Sequence, residues 1–191
     1  GRRIIGGVPE PNEFPFVVRT TRIGGTSGLL CSGTLISSKW VVTAAHCFLN
    51  DFNSGYMTVG GGNTELLIGC ASSVTADTCR TYQAKRMIPH PCYTPSDFED
   101  HDDIALIELT EEVPFAEESF ALVDNIDGDA SLSAGDTVSL AGYGVTSNEA
   151  QTGSRVLMRV DVRAASKQAC EQANPADIQM GWMDYDHAFC T

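Results

Sequence analysis

The sequence predicts an all-β chain, arranged as barrels or as a sandwich, from the spacing and the content of its apolar runs. Short apolar or alternating runs recur between clusters of Gly, Asn, Asp and Ser. These runs have the length and the Val, Ile and Thr content of strands, and no sustained helical period competes with them. With 42% apolar residues, 191 residues can bury a substantial interior, as one ordinary domain or two small ones sharing a core. That argues against a disordered chain and against a scaffold held by disulfides alone.

The expected strands, in order, begin with residues 14–18, an aromatic and valine run. Residues 29–36 follow, passing through Cys31-Ser32-Gly33, and then 40–44, where bulky residues give way to small ones. After a long interval come 104–109, preceded by two aspartates, then 137–141 and 156–162. A strand near 179–184 is a further candidate. One helix is expected at 166–173, where a Ser start and Ala, Gln and Glu content end at Asn174-Pro175. Residues 110–136 carry Glu111, Glu112, Glu117, Glu118, Asp124, Asp127 and Asp129 between two strand-rich halves and form the best candidate linker.

Twelve Lys and Arg against 25 Asp and Glu leave a formal charge of -13, which repels phosphate backbones and anionic lipid. Neither a nucleic-acid nor a membrane partner is expected. No stretch approaches the roughly 20 apolar residues that cross a bilayer. The chain opens on Gly1-Arg2-Arg3 rather than on a signal-peptide pattern, so any export signal is expected to have been removed. Cysteines at 31, 47, 70, 79, 92, 170 and 190 show no paired C-x-x-C of a zinc site and point to disulfides in an oxidising compartment. Their odd number leaves at least one as a thiol or paired outside the chain.

The stretch Trp40-Val41-Val42-Thr43-Ala44-Ala45-His46-Cys47 delivers a histidine beside a cysteine at the end of a strand, with Ala44 and Ala45 leaving room around the imidazole. A histidine used as a general base needs that room for substrate and a partner that fixes its tautomer. Asp103, in Asp102-Asp103-Ile104-Ala105-Leu106, can supply the partner, because a carboxylate at the mouth of an apolar strand can accept a hydrogen bond from the ring. Asp102 is the neighbouring alternative.

Five segments then occur in one order: Arg3-Ile4-Ile5-Gly6-Gly7, Cys31-Ser32-Gly33-Thr34-Leu35-Ile36, Thr43-Ala44-Ala45-His46-Cys47, Asp103-Ile104-Ala105-Leu106 and Gly142-Tyr143-Gly144. From Arg3 to Cys190 the chain resembles the chymotrypsin-trypsin family of serine endopeptidases. The resemblance implies a secreted protease of two β-barrels, the first at residues 4–115 and an incomplete second at 116–191, after a residual propeptide at 1–3. It implies His46 as general base and Asp103 as its orienting carboxylate, since Asp103 directly precedes the Ile-Ala-Leu strand. It implies activation by cleavage between Arg3 and Ile4, with Gly6 and Gly7 freeing the backbone for the new amine to fold inward. With residues 1–3 attached, the chain as written is zymogen-like.

By the same resemblance Cys31 pairs with Cys47 and Cys170 with Cys190. Cys70, Cys79 and Cys92 have no counterpart there, and the local pairing of Cys70 with Cys79 leaves Cys92 for an unseen partner. The cysteine-bracketed loop replaces the acidic calcium-binding loop of some relatives, so no calcium is expected. No other metal and no cofactor are expected either. The expected partners are protein or peptide substrates and protein inhibitors. The family's Gly-Asp-Ser-Gly-Gly segment, with its nucleophile, is absent, and Ser27 in a glycine-rich turn is no substitute. Without a nucleophile the chain alone is expected to be inactive. It reads as an incomplete protease or, alternatively, as a serine-less homologue acting as a binding or inhibitor protein.

Overall fold

The computed structural model describes residues 4–10, 13–22, 31–47, 64–68, 80–93, 102–114, 120–121, 132–147, 153–154 and 156–173, without the side chains of 21–22, 64–68 and 80. Nine strands are described: β1 (Val8–Pro9), β2 (Val17–Arg22), β3 (Cys31–Leu35), β4 (Trp40–Thr43), β5 (Thr64–Ile68), β6 (Arg80–Pro89), β7 (Ala105–Leu109), β8 (Thr137–Gly142) and β9 (Met158–Arg163). A 3-10 turn occupies Ala45–Cys47, and one helix, α1, spans Lys167–Ala173.

Six strands close into a barrel in the order β2-β3-β4-β7-β6-β5, each antiparallel to its neighbours. Alternation drives this closure. On β3 the residues Cys31, Gly33 and Leu35 face inward while Ser32 and Thr34 are half-buried. On β4 the inward pair is Val41 and Thr43. Val18, Leu35, Val41, Ile107 and Leu109 are fully buried in the barrel interior, joined by Tyr82, Ala84 and Met87 from β6. Each such aliphatic side chain contributes about 1.5–3 kcal/mol by leaving water. Gly33 is required by closeness: a Cβ there would stand 2.8 Å from Val41 Cγ1 and 3.0 Å from the Val42 carbonyl oxygen.

The sequence expectation missed β5 and β6. On β6, Tyr82 and Ala84 point inward, then Lys85 and Arg86 both point outward before Met87 returns to the core. A register shift between Ala84 and Arg86 against β7 is the cause, because a bulge inserts one residue and resets the alternation. Both displaced cations bind one acid. Lys85 Nζ donates to Glu108 Oε1 at 2.8 Å, and Arg86 Nε donates to Glu108 Oε2. This clamp accounts for a carboxylate on the middle of β7 that is only 9% exposed.

The second unit is a three-stranded sheet among the described residues, in the order β1-β9-β8. The division expected at residue 115 groups Val8 and Pro9 with the barrel, yet they pair with Arg159 and Met158 of β9. Pro9 has no N–H to offer and sits where an edge strand tolerates that. The barrel and the sheet share a small core of Val17, Tyr143 and Leu157, with Phe14 and Phe16 stacked edge to face at 5.9 Å beside it. Ser32 adds a polar tie, its Oγ accepting the Tyr143 N–H at 3.0 Å.

The expected strand at 14–18 is displaced to Val17–Arg22: Phe14 packs on the small core shared with the second sheet, and Phe16 packs on both that core and the barrel core. The expected linker at 110–136 is docked at its start and near its middle. Val113 is 2% exposed, with its N–H on the Ser38 carbonyl at 2.8 Å, and the Ala121 N–H reaches the Leu35 carbonyl at 3.1 Å. The helix expected at 166–173 begins one residue later because Ser166 caps it, accepting the Ala169 N–H on its Oγ at 3.1 Å. The expected strand near 179–184 lies outside the described residues.

Candidate active site

His46 stands on the 3-10 turn that ends β4, between two buried neighbours, Ala45 and Cys47. Ala45, 1% exposed, packs against Tyr93 and Ala105. The small residues before His46 therefore let the turn seat against β7; at Ala45 they do not open space for substrate as the sequence suggested. Cys47 is bonded to Cys31 on β3, with Cα atoms 6.2 Å apart, so the turn is held on one side by a covalent bond and on the other by packing.

Asp103 comes to the same place from the opposite direction. The Ile104 N–H donates to the Asp102 carbonyl at 2.6 Å, which makes Asp103 the centre of a tight γ-turn at the mouth of β7. Its carboxylate takes two donors. Oδ1 accepts the His46 backbone N–H at 2.8 Å, and Oδ2 lies 2.5 Å from His46 Nδ1. Asp102 is left outside this arrangement. It has a φ of 53°, a left-handed conformation that aspartate tolerates better than most residues, and its Oδ1 lies 3.9 Å from His90 Nδ1.

The electrostatics follow from this geometry. A carboxylate facing Nδ1 places the ring proton there and leaves Nε2 as the basic atom. Nε2 lies 3.8 Å from Cys47 Sγ, and the imidazole is 31% exposed while the Asp103 side chain is 23% exposed. The ring is therefore partly open to solvent while the carboxylate is more sheltered. Two donors from one residue hold the carboxylate so that a protonated ring is stabilised without turning.

Of the other residues expected at the site, Ile4 donates its backbone N–H to the Val145 carbonyl at 2.8 Å, and Gly6 takes a φ of 77° in the turn that follows. Cys170 is buried and disulfide-bonded. Arg3, Ser27, Cys70, Cys79 and Cys190 lie outside the described residues. Cys92 is exposed, in the turn after β6. Sequence reasoning passed over Tyr93 and quoted Ala105 only as part of a motif, and the two pack under the histidine turn at Ala45. Their only signal was proximity to motifs already noted.

Comparison with known proteins places the chain in a family. The family model described as Trypsin matches residues 4–191. Trypsin 5G1 of Aedes aegypti is 33% identical over 174 residues, covering 90% of this chain and 58% of that protein. Phenoloxidase-activating enzyme 1 of Spodoptera litura is 27% identical over 190 residues, covering 93% of this chain and 49% of its own length. The chain thus spans about half the length of these relatives. The solved structure of neuropsin, a serine protease of mouse brain, superposes with a TM-score of 0.71 at 22% identity, over 95% of this chain and 72% of that one, which shows a shared fold. With a closed six-stranded barrel carrying the histidine turn and a family match that runs almost end to end, the chain belongs to the trypsin family of serine proteases.

Proposed function

We propose that this chain supplies the general base and the orienting carboxylate of a secreted, trypsin-like serine endopeptidase that hydrolyses peptide bonds in protein substrates. The observation that carries this reading is the double grip of Asp103 on His46, through the backbone N–H at 2.8 Å and Nδ1 at 2.5 Å. In the reaction Nε2 of His46 takes the proton of a serine hydroxyl as that oxygen attacks the carbonyl carbon, and returns it to the leaving amine. Asp103 remains ionised and stabilises the imidazolium formed in between. Residues 1–191 contain no Gly-Asp-Ser-Gly-Gly segment. In this reading the nucleophile comes from sequence outside them, and the 191 residues alone form no acyl-enzyme.

Cleavage after Arg3 is the activating step. It converts the single amide N–H of Ile4, now on the Val145 carbonyl at 2.8 Å, into an ammonium with two further donors and a positive charge. Secretion is supported by the Cys31–Cys47 bridge, since such bonds persist in oxidising compartments. The test uses the protein isolated from its natural source. Its intact mass and C-terminus are determined, and it is cut after Arg3 and then exposed to an organophosphate. Covalent labelling that disappears when His46 is replaced by alanine supports the proposal; a natural protein that takes no label after cleavage overturns it and favours a binding role.

A further inference from the structure

We propose that His90, Cys92 and Asp102 form a site for a borderline divalent transition metal, zinc being the type case, at the barrel edge beside Asp103. Two backbone devices bring the three residues together. The turn after β6 is closed by the Tyr93 N–H on the His90 carbonyl at 2.9 Å, with Pro91 at the second position, and the His90 N–H donates to the Ile104 carbonyl at 2.8 Å. Across from it, Asp102 is turned by its φ of 53°. As a result the His90 ring nitrogen, the Cys92 sulfur and an Asp102 carboxylate oxygen all lie within 4.8 Å of one another.

The donor set decides the class of metal. Imidazole, thiolate and carboxylate together suit zinc and its neighbours, whereas calcium and magnesium take oxygen ligands only. Bonds of about 2.0–2.3 Å in a tetrahedron require the ligand atoms to approach within roughly 3.3–3.8 Å. His90 Nδ1 and Asp102 Oδ1 are already at 3.9 Å, and both side chains are more than two-fifths exposed, so the remaining contraction is a matter of rotamers. Binding releases the Cys92 proton to solvent and replaces the long hydrogen bond of 3.3 Å from the Cys92 N–H to His90 Nδ1. Water completes the fourth position. Cys31, His46 and Cys47 also lie close together, but their two sulfurs are bonded to each other and offer no thiolate. This site extends the chemistry of the chain beyond the expectation of no metal, and it holds whether or not His46 and Asp103 are catalytic.

The test titrates the whole chain, disulfides intact, with Co2+ as a spectroscopic stand-in and then with Zn2+. The expected result is a sulfur-to-cobalt charge-transfer band that saturates at one metal per chain and is displaced by Zn2+. Cys92→Ser should abolish the band, Asp102→Asn and His90→Ala should weaken binding by at least about tenfold, and His46→Ala should leave it intact. Zn2+ should also slow alkylation of Cys92. The absence of a sulfur band, a band that survives Cys92→Ser, or a Cys92 that resists alkylation without metal because its sulfur is held in a disulfide would each overturn the proposal.

Discussion

Replacing Cys31 and Cys47 together by alanine opens a loop closed over a sequence separation of 16. On the chain-entropy model, that closure raises the free energy of the unfolded chain by about 3 kcal/mol. Both half-cystines are buried, at 5% and 7% exposure, so removing the sulfurs also forfeits some packing and the measured loss should not fall short of that figure. For a domain of this size the corresponding drop in Tm is roughly 6–12 °C. The assay is urea unfolding of both forms followed by tryptophan fluorescence, for which Trp40 on β4 is a local reporter. A local effect accompanies the global one. Without the bridge, the turn carrying His46 is held by the Cys47 N–H on the Ala44 carbonyl, at a long 3.3 Å, and by Asp103, so the His46 ring resonances should broaden. A stability loss under about 1 kcal/mol together with unchanged His46 resonances would refute the reasoning, since the bridge would then neither restrict the unfolded chain nor pin the histidine.

Four further outcomes are expected. Asp103→Asn, made in the complete protease, should lower kcat by roughly 10^4 with little change in KM, because the tautomer and charge lost are used only in the transition state. Ile107→Ala, at a fully buried position of β7, should cost about 2–5 kcal/mol in urea unfolding. Gly33→Ala should cost about 1–3 kcal/mol, because its new methyl group meets the Val42 carbonyl oxygen at 3.0 Å and main chain cannot step aside as a side chain can. Glu108 is held below its ordinary value of 4.5 by the hydrogen bond from Lys85 and then by that from Arg86. Its depressed pKa contributes stability above pH 4.5 that is lost as the pH falls through the folded value, so Glu108→Gln should flatten the decline of urea midpoints on the acid side of 4.5.

How far the fold could be read in advance depended on whether each strand kept its phase. Trp40–Thr43 and Cys31–Leu35 alternate cleanly between inward and half-buried residues, and the sequence placed both within a residue or two. Arg80–Pro89 is the longest strand described, yet it was invisible, because the bulge at Lys85 puts two charged residues side by side where alternation demands one. Val8–Pro9 was missed for another reason. Two residues, one of them proline, carry no strand signal, and only the β9 edge makes them a strand. The candidate linker misled because its acidic residues obscured Val113 and Phe120, whose side chains pack on the barrel core.

Around the candidate site the residues answer to several constraints at once, and the run Cys31-Ser32-Gly33 illustrates this. Cys31 bonds to Cys47 and so fixes the histidine turn. Ser32 accepts the Tyr143 N–H on its hydroxyl oxygen at 3.0 Å and the Thr43 hydroxyl on its carbonyl at 3.0 Å, which joins the second sheet to the strand that leads into the histidine turn. Gly33 lets that strand lie close enough for both contacts. Any one of these residues alone has an ordinary structural explanation. Together they tie three otherwise separate pieces, the histidine turn, the barrel wall and the second sheet, and few other residue types meet the three demands at adjacent positions. Asp103 has no such neighbours in sequence, and its position against His46 is created by a γ-turn and by the β4–β7 pairing. Taken residue by residue the sequence nominates both Asp102 and Asp103, and the family resemblance selects Asp103 for its place before the Ile-Ala-Leu strand; in the backbone geometry Asp103 faces the histidine turn while Asp102 faces His90.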